Sequence, residues 1–386
     1  MLATSRRDNV FLFARIWVGS RRLIVTSIEL PDQSKRAENF DQQGESMQRP
    51  YAALFIHGLA KKPAPDKLRE IWLWGITRDN PNPSVFAAPN RGINLGSQGV
   101  AAFFSYYADV FYGTDYETEL QSYYEADDEL EVLSGEHLDR IEPGLQLPNA
   151  VTPRERAFVR NFEEKLGASA ALATPPASVA TTSEAAQPSN DASDLEIASW
   201  LPMNIKQAVI KKAAMEAFYF LFDKEYERAD GTRFKVRQEL RKRLLDDLTK
   251  AKEAGEKIVI VSHSMGTMVA YDVARNCPEC PAIDTLITIG SPLGIQEVQD
   301  ELVAIDAGAG GVDFPAAKVR RWINIYDPLD PVAAADPKLA GNFREVDGKR
   351  VEDIKESNWG SWRHTSTHYF AGTEFRRVLR ESIGIT

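Results

Sequence analysis

A serine hydroxyl becomes a strong nucleophile when an imidazole takes its proton and a carboxylate steadies the imidazolium that forms. This chain carries candidates for all three groups in the order serine, acid, histidine. The serine is Ser264, at the centre of Ser262-His263-Ser264-Met265-Gly266. The acid is Asp327 or Asp330, in Tyr326-Asp327-Pro328-Leu329-Asp330-Pro331. The base is His364 or His368, in Arg363-His364-Thr365-Ser366-Thr367-His368. The chain has 5 histidines, and two of them fall in this late segment. Such a set would attack an acyl carbonyl and pass through a covalent intermediate. Asp-Pro is also common turn chemistry, so at least one of the two carboxylates is expected to do no more than shape a turn. The H-x-x-x-H spacing would put both histidines on one helix face and offers a metal site as the competing reading. No Glu or Asp stands between them, as a zinc protease would need, so no metal and no cofactor are expected.

The residues around Ser264 say how it would be presented. Lys257 to Val261 is a compact β-branched run, and Thr267 to Asn276 is compatible with a helix. A strand driven through a sharp turn into a helix leaves the central side chain exposed at the sheet edge. Small residues are needed two positions either side, and Ser262 and Gly266 meet that need, although Ser262 stands where the usual G-x-S-x-G has glycine. The bland alternative is a buried strand that ends in a serine N-cap. Two backbone N–H groups should face the developing oxyanion. Met265, at the helix N-terminus, would supply one, and Gly58 or Leu59, in the loop after Phe55-Ile56-His57, the other. His57 is expected to orient that loop by hydrogen bonding.

These positions require strands that end at one edge of a sheet. Tyr51–Ile56, Lys257–Val261, Thr285–Ile289 and Arg321–Tyr326 are short, unbroken apolar runs separated by helical or loop segments. Unbroken runs suit strands buried on both faces, and the alternation predicts a mostly parallel sheet with helices on both faces. Ligands then bind beyond the carboxyl ends of the strands. Residues 1–50 read as an N-terminal extension, a β-hairpin over Val10–Ile28 that could join the sheet, and 51–386 as the main domain. Residues 116–142 are acidic. Residues 166–193 are rich in Ala, Ser, Thr and Pro, which predicts disorder. Residues 205–254 read as a helical insertion before the nucleophile strand, either a lid lined by Phe218, Tyr219, Phe220 and Phe222 or part of the core.

Composition narrows the partners. The chain is 386 residues long with a formal net charge of -10 and no compensating basic block, which argues against nucleic acid. Its two cysteines, Cys277 and Cys280, form C-P-E-C, too few for a disulfide framework or a structural zinc site, and read as loop thiols. No apolar run is long enough to span a membrane, and Arg15 interrupts the apolar stretch that follows Arg6 and Arg7, so a cytoplasmic location is expected.

Ile56-His57-Gly58, Ser262–Gly266, Gly290-Ser291-Pro292-Leu293 and the Asp330 and His364 segments together resemble the α/β-hydrolase superfamily. The closer likeness is to its lipase-like serine esterase branch, bacterial members included. The resemblance runs from about Tyr51 to Phe375 and is weak from 115 to 255. It implies an α/β-hydrolase fold and hydrolysis of an ester with a lipid-like or other apolar acyl group. Ser264, Asp330 and His364 would be the catalytic residues, with Asp327 and His368 as alternatives. An acyltransferase or thioesterase could use the same groups, and a hydrolase-fold binding module without catalysis is the reading from a different class.

Overall fold

The computed structural model describes residues 49–58, 60–116, 151–172, 203–306, 310–359 and 363–385. The expected N-terminal hairpin, nearly all of the acidic stretch and residues 173–193 lie outside them. The four apolar runs form strands, each slightly longer than its apolar core: β1 (Arg49–Ile56), β5 (Gly255–His263), β6 (Ile283–Ile289) and β7 (Val319–Tyr326). Two further strands, β2 (Ala101–Ser105) and β8 (Val351–Lys355), join them. A small antiparallel hairpin, β3 (Glu225–Glu227) and β4 (Arg233–Lys235), stands apart from them.

The six strands make one sheet in the order β2-β1-β5-β6-β7-β8, and every neighbouring pair is parallel. The helices are α1 (Pro65–Thr77), α2 (Asp109–Tyr112), α3 (Pro153–Leu172), α4 (Met203–Leu221), α5 (Val236–Ala254), α6 (Met265–Asn276), α7 (Gln296–Ile305), α8 (Ser366–Ala371) and α9 (Thr373–Ser382). The protein has an α/β fold with a parallel central sheet and helices on both faces, as the alternation of elements predicts.

Period-two alternation divides the strand side chains between two cores. Ala52, Leu54, Ile56, Ile258, Ile260, Leu286 and Trp322 pack on one face with α3, α4, α5 and α6. Ala53, Phe55, Val259, Val261, Ile287, Ile289, Ile323 and Ile325 pack on the other with α1, α8 and α9. In α5, Leu240, Leu244 and Leu248 recur every four residues and are buried, a single stripe laid on the sheet. Each such leucine contributes about 1.5–3 kcal/mol relative to exposure.

Helices α4 and α5, which precede β5, contribute buried residues to the first of these cores. Phe218, Tyr219 and Phe220 are buried in it, and α5 packs against β1, β2 and β5. The composition-biased segment begins later than residue 166, because Leu166 and Ala170 are buried in the last turns of α3. Two elements were not expected. The β3–β4 hairpin sits within a stretch that reads as helical throughout, and β8, Val-Glu-Asp-Ile-Lys, is an edge strand whose charges hide its strand character.

Register sets the site. Ile56 pairs with Ser262 and Ser262 with Thr288, so β1, β5 and β6 end side by side. The loops after them therefore leave from neighbouring points at the carboxyl edge. Chain order reverses at β1, which has β2 on one side and β5 on the other, and this topological switch point is where a crevice opens in such sheets.

Candidate active site

Ser264 sits between β5 and α6 with φ 56° and ψ -130°, a positive-φ backbone that a non-glycine residue adopts only when its surroundings impose it. The surroundings are close-packed. Ser264 donates its N–H to the carbonyl of Ile289, which pins the turn to the end of β6. A Cβ on Gly266 would lie 2.5 Å from the carbonyl oxygen of His57, so only glycine lets α6 start this close to β1. Ser262, in place of the usual glycine, is fully buried and donates its hydroxyl to the Ile287 carbonyl at 3.3 Å. The extra hydroxyl is satisfied on the adjacent strand and leaves the turn intact.

Ser264 occupies the N-cap position of α6, but its side chain makes no capping bond. Its Oγ instead lies 2.8 Å from Nε2 of His364. Nδ1 of His364 lies 2.8 Å from Oδ2 and 2.9 Å from Oδ1 of Asp330. The carboxylate can only accept, so Nδ1 carries the proton and Nε2 presents its lone pair to the serine hydroxyl. Ser264 is 1% exposed and Asp330 0%.

Of the two acid candidates, Asp330 meets His364. Burial alone would raise its carboxyl, but the neighbouring His364, the Tyr369 hydroxyl and the Val332 N–H hold it below the usual carboxylate range. Tyr369, on α8, donates to Asp330 Oδ2 at 2.7 Å, and its own hydroxyl is pushed well above its ordinary value, chiefly by burial. Asp327 has a different job. It accepts from the N–H of Leu329 and of Asn358, each at 2.8 Å, and is paired with Arg363 at 3.4 Å, so it ties the strand-end loop to the segment that leads to His364. Burial raises its carboxyl. Two aspartates three residues apart are thus driven in opposite directions, a separation of environments typical of sites with divided roles.

The two histidines do not share a helix face. His364 precedes α8, while His368 lies within it and stacks on Trp359 with ring centroids 3.9 Å apart. The ring of His263 lies 4.5 Å from that of His364, and its Nε2 donates to the His364 carbonyl at 2.8 Å. His263 thus braces the histidine from beneath, a role its place in the Ser-His-Ser run does not reveal.

The loop after β1 approaches from the other side. A Cβ on Gly58 would lie 2.6 Å from Cβ and 3.2 Å from Oγ of Ser264, so the backbone there is as close to the serine as chemistry permits. The Tyr107 N–H donates to Nε2 of His57 at 3.0 Å, leaving the His57 proton on Nδ1 to meet the Gly58 carbonyl at 2.6 Å. Met265 opens α6 beside the serine. Leu59, the other candidate donor, lies outside the described residues. Gly290, with φ 54°, closes the site from the end of β6, where a Cβ would sit 2.8 Å from Asp330 Oδ2 and 3.0 Å from His364 Nδ1. In sequence the Gly290-Ser291 pair is only a point of resemblance, and its tight contact with the acid and the histidine is visible only in three dimensions.

Cys277 and Cys280 are buried free thiols away from these residues, and burial pushes Cys280 up to about 12. Among the described residues no helix is long and apolar enough to cross a membrane.

No protein-family model matches the chain, and no curated protein does. Among solved structures it is similar to a dienelactone hydrolase from Anabaena variabilis, at 16% identity over 36% of this chain and 56% of that one, with a TM-score of 0.23. It is also similar to a proline iminopeptidase-related protein from Thermus thermophilus, at 15% identity over 37% of this chain and 70% of that one, with a TM-score of 0.20. The chain covers just over half the length of the first, and likenesses this partial carry nothing about reaction or substrate.

Proposed function

We propose that the protein is a serine hydrolase that cleaves an ester through an acyl-enzyme, with Ser264 as nucleophile, His364 as general base and acid, and Asp330 as its orienting carboxylate. The observation that carries this reading is the unbroken chain from Ser264 Oγ to His364 Nε2 and from His364 Nδ1 to Asp330, with 2.8 Å at each step. The Ser264 proton passes to Nε2 as Oγ bonds to the acyl carbon. The oxyanion that forms is met by the N–H of Met265 and by the backbone N–H of Gly58 or Leu59. The tetrahedral adduct collapses, and the leaving alcohol takes the proton from Nε2. A water then gives a proton to Nε2 and its oxygen to the acyl carbon, and Ser264 recovers its proton as the carboxylic acid departs.

The substrate class is an ester with a lipid-like or other apolar acyl group. A nearly buried hydroxyl favours an uncharged carbonyl, since a charged group would have to give up its hydration to reach Ser264. The test is a fluorophosphonate probe with a series of p-nitrophenyl esters of increasing chain length. Wild type is expected to be labelled and to turn over, and Ser264→Ala to do neither. Persistent labelling of Ser264→Ala would overturn the assignment.

A further inference from the structure

Helix α4 carries one acid, Glu216, among apolar neighbours. Ala213, Ala214, Ala217, Phe218 and Phe220 are all buried, and Glu216 itself is 1% exposed. Its Oε1 accepts from the Ala60 N–H at 2.8 Å and from the Tyr112 hydroxyl at 2.8 Å. Packing alone would be served better by another apolar side chain, since a buried carboxyl loses its hydration. The bond to Ala60 is made to a residue under strain, for Ala60 has φ 72° without being glycine. Ala60 lies two residues beyond Gly58, whose backbone touches Ser264. On the near side, the loop is held through His57 by the N–H and hydroxyl of Tyr107. On the far side, Glu216 holds it.

We infer that Glu216 is a positioning residue for the oxyanion loop: by accepting the Ala60 N–H, it keeps the backbone that follows β1 aimed at the acyl oxygen bound at Ser264. The inference rests on the serine-hydrolase reading and deepens it, because it makes the insertion before β5 a working part of the site. An oxyanion contact is made in the transition state more than in the ground state, so its loss lowers kcat more than it raises KM.

The test compares variants in a Tyr112→Phe background, which removes the tyrosine donor and keeps the Ala60 N–H as a described hydrogen-bond donor to position 216. Glu216→Gln keeps an acceptor oxygen of the same reach, and Glu216→Met keeps the volume and removes it. Glu216→Asp in the wild-type background keeps the acid but withdraws it by one methylene, which gives a second variant where the methionine protein does not fold. The readouts are kcat and KM on a p-nitrophenyl ester and the rate constant of fluorophosphonate labelling, with folding checked by circular dichroism. Relative to Gln, Met is expected to lower kcat and labelling by about tenfold to a hundredfold with KM changed less than about threefold, and Asp to behave similarly relative to wild type. Folded Met or Asp proteins that match their references in kcat and labelling overturn the inference. Ser264→Ala, run alongside, separates the two claims. If it is inactive while the Glu216 variants are unaffected, only the positioning role falls. If it retains turnover, the serine reading falls and the positioning role with it.

Discussion

Asp327 and Asp330 both follow β7 and both are buried, yet only Asp330 reaches the histidine. Asp330→Asn is expected to lower kcat by about a thousandfold to ten-thousandfold with the fold intact, because an amide favours the wrong imidazole tautomer and cannot balance the imidazolium. Asp327→Asn keeps a side-chain oxygen for one of its two backbone donors and should lower kcat by about tenfold or less. Steady-state kinetics on the two variants decides, and the reverse ranking would return the acid to Asp327. The sequence showed both aspartates and could not rank them by physics, because the fold of the segment from Tyr326 to Asn358 decides which carboxylate turns inward. Likeness to a family chose between them. Tyr369 and His263 were illegible for a similar reason: a phenol or a second imidazole gains meaning only from what it touches. Gly290 offers a sharper check. A methyl group there would crowd Asp330 Oδ2 and His364 at once, in a backbone that already has positive φ. Gly290→Ala should cost about 1–3 kcal/mol and lower kcat/KM by more than about tenfold, measured by urea denaturation and ester turnover. A wild-type kcat/KM would show that the acid and histidine tolerate displacement.

The strands could be read because they are buried on both faces, which writes each as a short apolar run, and their ends give the positions of Gly58, Ser264 and Asp327 without knowledge of the loops. The insertion was harder, since an amphipathic stretch and aromatic residues suit a lid and a core equally well. Burial of Phe218 and Phe220 in the same cluster as Leu54, Ile56 and Leu244 speaks for packing on the sheet. Phe218→Ala should then cost about 3–5 kcal/mol of stability. Its effect on KM should be the same for short and long acyl chains, because the ring supports the core and does not touch substrate. A KM that rises only for long chains would mark α4 as a substrate-lining element. The two small surprises, the β3–β4 hairpin and β8, have charged sequences whose pairing is set by neighbours already in place, which local pattern does not encode.

On the scale of the whole molecule, two cores flank one sheet, and the site lies at its carboxyl edge where chain order reverses. Residues there depart from ordinary local preference: positive φ at Ser264 and Ala60, and buried carboxyls at Asp330 and Glu216. Such departures lower global stability, and Glu216 makes the effect measurable. Burial raises its carboxyl from 4.5 to about 7, against the opposing pull of the Tyr112 hydroxyl, the Ala60 N–H, Lys62 and Lys212. Tyr226, on β3, also feels its charge. A carboxyl raised in the folded state holds its proton more tightly there than in the unfolded chain. Its stabilising contribution is therefore complete below pH 4.5 and is lost as pH rises through about 7. The span between those values corresponds to about 3 kcal/mol. Glu216→Gln is neutral at every pH and keeps the acceptor for Ala60, so it removes the titration and little else. Urea denaturation at several pH values should show the variant's advantage over wild type growing from near zero at about pH 4.5 to about 3 kcal/mol at about pH 8, with most of the change between about pH 5 and 7. An advantage that does not change with pH would mean that Glu216 keeps its charge when buried, with Lys62 as the counter-ion that offsets its desolvation.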